Sequence, residues 1–191
     1  MPLGKDIHGW VEVRHTYEGA GPGTVSEWLG VIKMTELVGR SYDMFASLFG
    51  GQPSYIDFVP VAPQRGMPAD ISEEAVQYYL EWQGLCDETW ITWNEVAVIN
   101  WDDEALDRRP HEYVQDSAGK WTLDRTKSHA DKGIEIVDGN SWQAGDRLYK
   151  IVRVSRRDSL DTGWQMVFRL MGVLAEKYGG DNVRLVVWFE S

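Results

Sequence analysis

Seven consecutive residues near the C-terminus, Val183-Arg184-Leu185-Val186-Val187-Trp188-Phe189, are apolar and β-branched with almost no polar break. A strand of this composition has no polar face to give to water, so it reads as a central strand buried on both faces. It needs partners. Residues 6–14 alternate, with Ile7, Gly9, Val11 and Val13 on one side and Asp6, His8, Trp10, Glu12 and Arg14 on the other. After the Gly-rich stretch 18–23, residues 25–37 can return as a second strand and close a hairpin. Strand-like alternation returns at 147–154.

Between these strands lie helical periods. Tyr42, Phe45, Leu48 and Phe49 share one face of a short helix that Gly50-Gly51 ends. Asp70 and Glu73 have capping-box spacing ahead of Ala75, Val76, Tyr79 and Leu80, in a helix that ends at Gly84. Thr92 and Glu95 repeat that spacing, which predicts a third helix from near Trp93 that fades at 100–103. Asp161 or Thr162 caps a longer run, Trp164, Val167, Phe168, Leu170, Met171, Leu174, Ala175 and Tyr178, that Gly179-Gly180 stops. The order of elements predicts an α+β fold: a single domain over 1–191, with a mixed β-sheet carrying helices mainly on one face. Residues 107–140 are polar and insertion-like, with fragments of strand pattern at 121–123 and 134–137. They suit a lid, an interface or a passive loop.

The chain holds ten Trp in 191 residues. So many bulky indoles, each with an N–H to satisfy, either form an aromatic core or line a cleft or interface. Thirty acidic against 19 basic residues give a net charge of −11, which argues against nonspecific nucleic-acid binding. Arg153, Arg156 and Arg157 form a local basic stretch that is either a small phosphate site or a solvated strand end. Cys86 is the single cysteine, so neither an intrachain disulfide nor a cysteine zinc cluster can form. The N-terminus lacks an apolar signal core and no run of about 18 apolar residues occurs. The expectation is a cytoplasmic protein without membrane contact.

Dinucleotide, phosphate-loop, nucleophile-elbow and zinc-helix motifs do not occur. Asp6, His8 and Glu12 project to one side of the first strand, a carboxylate–imidazole set that suits a divalent metal if the face is not merely solvated. Arg40 and Tyr42 stand at the start of the first helix, where an anion could bind, or where Arg40 could simply pair with Asp43. Arg65 sits in the stiff loop Arg65-Gly66-Met67-Pro68-Ala69-Asp70, fit to bind or merely to set up the next helix. Trp90, Trp93 and Trp101 could stack a flat ligand or fill the core. His15, His111 and His129 have no partner at ligand spacing and read as surface histidines.

Four stretches carry a resemblance: Asp6-Ile7-His8 with Glu12, Arg40-Ser41-Tyr42-Asp43-Met44-Phe45, Arg65-Gly66-Met67-Pro68-Ala69-Asp70-Ile71-Ser72, and Val183 to Phe189. In these the chain resembles an uncharacterised family of small proteins of bacteriophages, especially actinobacterial ones, and of bacterial genomes. The family has no assigned activity. Its members tend to carry a cysteine where this chain has Lys5, and a His-Ser-containing stretch where it has Asp87-Glu88-Thr89-Trp90. The resemblance implies an accessory role, such as binding a nucleotide signal or blocking a host defence component.

Three functions follow as expectations. The first is a noncatalytic binding protein for a small nucleotide-like ligand or a host protein, using Arg40, Tyr42, Arg65, Trp90 and Trp93. The second is a metal-dependent phosphoester hydrolase built on Asp6, His8 and Glu12. The third is an acidic protein-interaction module. A homo-oligomer is compatible with each.

Overall fold

The computed structural model describes residues 5–18, 24–50, 54–127 and 133–190. The turn at 19–23 and His129 lie outside them. Strand β1 (Asp6–Glu18) and β2 (Thr24–Lys33) form the opening hairpin, and helix α1 (Tyr42–Phe49) follows. Helix α2 (Glu73–Leu80), strand β3 (Leu85–Thr92) and the five-residue α3 (Trp93–Ala97) come next. Strands β4 (Glu104–Gln115), β5 (Trp121–Thr126), β6 (Ser141–Ala144) and β7 (Arg147–Ser155) then precede α4 (Thr162–Tyr178) and β8 (Val183–Glu190).

The class is α+β, as the order of elements implies, but the strands form two antiparallel sheets rather than one mixed sheet. Sheet A has the order β2-β1-β8-β3 and sheet B the order β5-β4-β7-β6. The difference arises in 107–140, which is no insertion: β4 and β5 come from it and make half of sheet B. Residues 134–137, by contrast, are not a strand. Proline weighs against a paired strand, yet Pro110 sits in β4 where the register with β7 shifts between Asp107 and His111, a bulge that tolerates it. The ladder of strand β3 with β8 is broken between Cys86 and Thr89.

Strand β8 lies in the middle of sheet A and is buried from Val183 to Phe189. Val183, Leu185, Val187 and Phe189 face α1, α3 and α4 together with Ile7, Val11 and Val13 of β1. Val186 and Trp188 face the other way, onto Ala75 and Tyr78 of α2, with Trp10 and Trp90 packed beside them. Helices therefore lie mainly on one face, but α2 closes the second. The expected polar face of β1 is covered by it. Gly9 permits the close pairing at the centre, since a Cβ there would stand 2.2 Å from the Val186 carbonyl oxygen.

Covering that face buries two charges. Glu12 is 0% exposed and Arg184 3%, and they are cross-strand partners whose side chains meet at 2.6 Å. The second Glu12 oxygen accepts from the Ser72 backbone N–H at 2.9 Å, and Arg184 also donates to the Asp70 carboxylate at 2.7 Å and to its carbonyl. Asp70 is therefore a partner of Arg184 and not the cap of α2. That place is taken by Ser72, whose hydroxyl accepts from the Ala75 N–H. The capping box at Thr92 and Glu95 is formed as the spacing predicts, and Asp161 caps α4.

Replacing Glu12 by Ala should cost towards the low end of about 3–5 kcal/mol in urea unfolding, because Arg184 loses its buried counter-charge and keeps only the exposed carboxylate of Asp70. The double replacement Glu12→Leu with Arg184→Met should recover most of the loss. Equal destabilisation in both proteins would show that the pair does not carry the effect.

Candidate functional site

The residues singled out from sequence do not assemble into one site. Asp6 accepts a two-pronged ion pair from Arg40, at 2.9 and 2.7 Å, in a half-exposed position. That hydrogen bond holds the Asp6 carboxyl below the usual carboxylate range. His8 is buried beneath Trp82, with Nδ1 against the Tyr78 hydroxyl at 3.1 Å and Nε2 against Glu190 at 3.2 Å. Asp6, His8 and Arg40 do share the wall of a small cavity of about 240 Å³ with Thr35, Trp82 and Glu190. Glu12 is committed elsewhere, to Arg184. No group of three His, Cys, Asp or Glu among the described residues is placed to hold a metal ion, so the three do not make the expected divalent-metal set.

The aromatic site is likewise divided. Arg65 makes a fork to Glu95, at 3.0 and 2.6 Å, and lies 5.1 Å from the Trp90 ring centre. Trp90 belongs to the α2 side of sheet A, whereas Trp93, Trp101 and Tyr42 pack on the opposite core. Alternation along β3 and the turn into α3 send the two indoles apart, so no stacking platform forms. Arg156 is buried as well. It donates to the Ser47 carbonyl at 2.6 Å, to the Val59 carbonyl and to Asp103, over the Phe58 ring. Arg157 pairs with Asp102, and Arg153 donates to the Glu104 carbonyl at 2.5 Å and lies 3.8 Å from its carboxylate.

The better site lies where sheet B meets α1. A cavity of about 500 Å³ opens there, in the range of roughly 300–1,000 Å³ usual for small-molecule sites. Ile56, Leu123, Val152 and Val154 give it apolar walls; Asp107, Arg109 and His111 rise from β4, and Asp43 comes from α1. A second hollow, of about 520 Å³ beside β2 and α2, sets Arg14 against Glu27, Asp70, Glu73 and Glu74, a surplus of carboxylates that does not suit an anion.

Asp107 organises the junction cavity. It is 2% exposed and accepts from Arg109 Nε and Nη2, both at 2.8 Å, and meets His111 Nε2 at 3.1 Å. Burial pushes its carboxyl up, but the hydrogen bonds from His111 and Arg109 outweigh burial and hold it below the ordinary range. Arg109 Nη2 reaches on to Asp43 at 2.9 Å. Burial opposes the Arg109 charge, yet Asp107 and Asp43 raise its pKa, so it stays a cation. Asp43 is thus taken by Arg109 and not by Arg40.

Two groups remain open. Among the described residues Arg109 Nη1 and His111 Nδ1 make no hydrogen bond, and the fully enclosed side-chain atoms without a partner are the indole nitrogens of Trp10, Trp164 and Trp188. Neither Nη1 nor Nδ1 is therefore sealed off, and both residues line the cavity. An ionised Asp107 can only accept, so Nε2 carries the hydrogen and, in the neutral ring, Nδ1 is a bare acceptor. His111 is 8% exposed and not the surface histidine its spacing suggests. The signal in sequence was the alternation Asp107, Arg109, His111, Tyr113, a polar strand face hidden by the adjoining charges and Pro110.

The four stretches that carry the resemblance do meet. Asp6 is held by Arg40, and Glu12 and Arg184 join Asp70 and Ser72. These contacts tie the stretches to one another in pairs. No family model, curated protein or solved structure matches the chain. None of the described helices is long and apolar enough to cross a membrane.

Because Asp107 is stabilised as a carboxylate in the fold, its contribution is present above the unfolded value of about 3.9 and is lost as pH falls through the lower folded value. Asp107→Asn should therefore be less stable at pH 7 and lose less stability than the wild type between pH 5 and pH 3. Urea titrations at those pH values measure this; parallel losses would remove Asp107 from its organising place.

Proposed function

We propose that the chain is a binding protein for a small anionic ligand of nucleotide size, held in the junction cavity and not among the tryptophans. The observation that carries this reading is the pairing, in one cavity of about 500 Å³, of an apolar wall with the open edges of Arg109, His111 and Arg153. The apolar side chains Ile56, Leu123, Val152 and Val154 suit the flat body of such a ligand. Arg153, with its side chain 45% exposed, donates from Nη2 to the Glu104 carbonyl and lies 3.8 Å from the Glu104 carboxylate, which leaves Nη1 to meet a phosphate at the mouth. The net charge of −11 does not by itself oppose this, because ionic screening acts over about 8–10 Å and the groups lining the cavity, Arg109 and Arg153 with Asp43, Asp107 and Asp158, set the potential inside it.

Titration calorimetry with inosine, guanosine, uridine and adenosine 5′-monophosphates tests the reading. At least one should bind, and Arg153→Ala should weaken it about tenfold, the loss expected for one exposed charge-assisted contact. Replacing Arg40 and Arg65 together by Ala should leave the affinity unchanged. If none of the four gives heat or raises the melting temperature, the binding reading falls.

A further inference from the structure

We infer that sheet B is a hinged unit, turning about the buried Arg156 guanidinium and latched to α1 by the Arg109–Asp43 ion pair, so that the width of the junction cavity follows the hinge. Residues 104–155 supply all four strands of sheet B, and the two ends of that segment leave the sheet side by side, because Glu104 and Ser155 are cross-strand partners. Beyond the sheet the Arg156 N–H donates to the Asp103 carbonyl and the Arg157 N–H to the Trp101 carbonyl, which keeps the two passages together. Segment 54–58 moves with the sheet: the Asp57 N–H donates to the Leu106 carbonyl and the Arg108 N–H to that of Tyr55. The apolar cluster of Ile56, Phe58, Ala105 and Val154 therefore lies inside the unit and turns with it. The segment leaves at Val59, whose carbonyl accepts from Arg156 Nη2, so this passage reaches the same point. A unit whose chain passages gather at one place can turn about that place.

The two ionic joints differ in what their rupture leaves behind. Arg156 is 4% exposed and donates to the carbonyls of Ser47 and Val59 and to the Asp103 carboxylate. Pulling it away from α1 strands donors of a buried cation, so it serves as the pivot. Arg109 binds Asp107 of its own strand through Nε and Nη2, both at 2.8 Å, and the same Nη2 reaches Asp43 at 2.9 Å. The Asp43 side chain is already 31% exposed. Releasing it leaves Arg109 paired with Asp107 and gives Asp43 to water, and no buried charge loses its partner. This joint is the one that can open. The cavity lies in the angle it closes, with Asp43 and Ser159 on the α1 side and His111, Leu123 and Val152 on the sheet.

Double electron–electron resonance on the full chain reads the hinge without any ligand. Nitroxides are placed at Ser117→Cys, in the exposed turn at the far end of β4, and at Val173→Cys, exposed on α4, with Cys86→Ser removing the native thiol. The 12 residues of β4 make a lever of roughly 35–40 Å at about 3.3 Å per residue, so a turn of about 10° moves the first label by about 6 Å. Asp43→Ala should therefore broaden or shift the distance distribution by about 5 Å or more relative to the intact latch. Arg157→Ala removes an exposed ion pair beside the pivot and should leave the distribution as it is. Melting temperatures of both variants establish that they fold. An unchanged distribution in Asp43→Ala, or equal broadening by the two variants, overturns the latch. Either result leaves the binding reading to be decided by calorimetry.

Discussion

Arg184 is a charge in the middle of a strand that is buried on both faces, and the arrangement of sheet A follows from where that charge finds its partner. Shifting β8 by one residue against β1 would turn Arg184 into the α1–α4 core and take it away from Glu12. The pair therefore fixes register as well as satisfying itself. It also reaches beyond the sheet. Through Ser72 N–H and Asp70 it places the end of the loop before α2, so the helix that covers the second face is set down by the same two charges that need covering. Trp28 adds to this, with its ring under the Arg184 guanidinium and its N–H on Asp70. Replacing such a pair by apolar residues can be neutral for stability, so register is the clearer reason to keep it.

Sheet B is attached differently. Its apolar contact with the rest of the chain is a small cluster of Ile56, Phe58, Ala105 and Val154, and residues 54–58 run beside β4 as a short bridge. Two arginines supply the remaining joints: Arg156 reaches back to the carbonyl of Ser47, and Arg109 forward to Asp43. Both joints end on α1. Ionic arms hold surfaces apart where interleaved apolar side chains would draw them together, and the junction cavity occupies that gap.

How much of this was legible depended on whether a segment was folded by its own periodicity. Strand β8, the β1–β2 hairpin, α1 with Gly50 and the caps of α3 and α4 all carry local patterns, and those patterns were sufficient. Asp70 misled because a capping-box spacing cannot reveal a guanidinium 114 positions away that claims the carboxylate first. Strand β4 misled because its charges, read in sequence, resemble a solvated loop. In the fold Asp107 and Glu112 are both buried, Asp107 against Arg109 two residues along the same strand and Glu112 against Arg125 and Arg147 of the neighbouring strands β5 and β7. The candidate site failed for the same reason. Arg40, Arg65 and Asp6 are chemically suited to ligands, but each finds an internal partner that sequence spacing does not disclose.

The junction cluster could be regarded as one more ionic joint, and Arg109 alone would suffice for that, since it bridges Asp43 on α1 and Asp107 on β4 without help. His111 does not fit so simple a role. Among the described residues it touches no carboxylate beyond one that Arg109 already neutralises and makes no hydrogen bond through Nδ1, and an apolar side chain would fill the same place on β4 without burying a polar ring. What the imidazole contributes is a polar group on a cavity wall, held by Asp107 beside the Arg109 guanidinium. The β4 bulge at Asp107–His111 strengthens the point, because an irregularity there bends the strand where a regular ladder would serve sheet B better. The ionic joint thus holds the polar face of β4 still against the cavity.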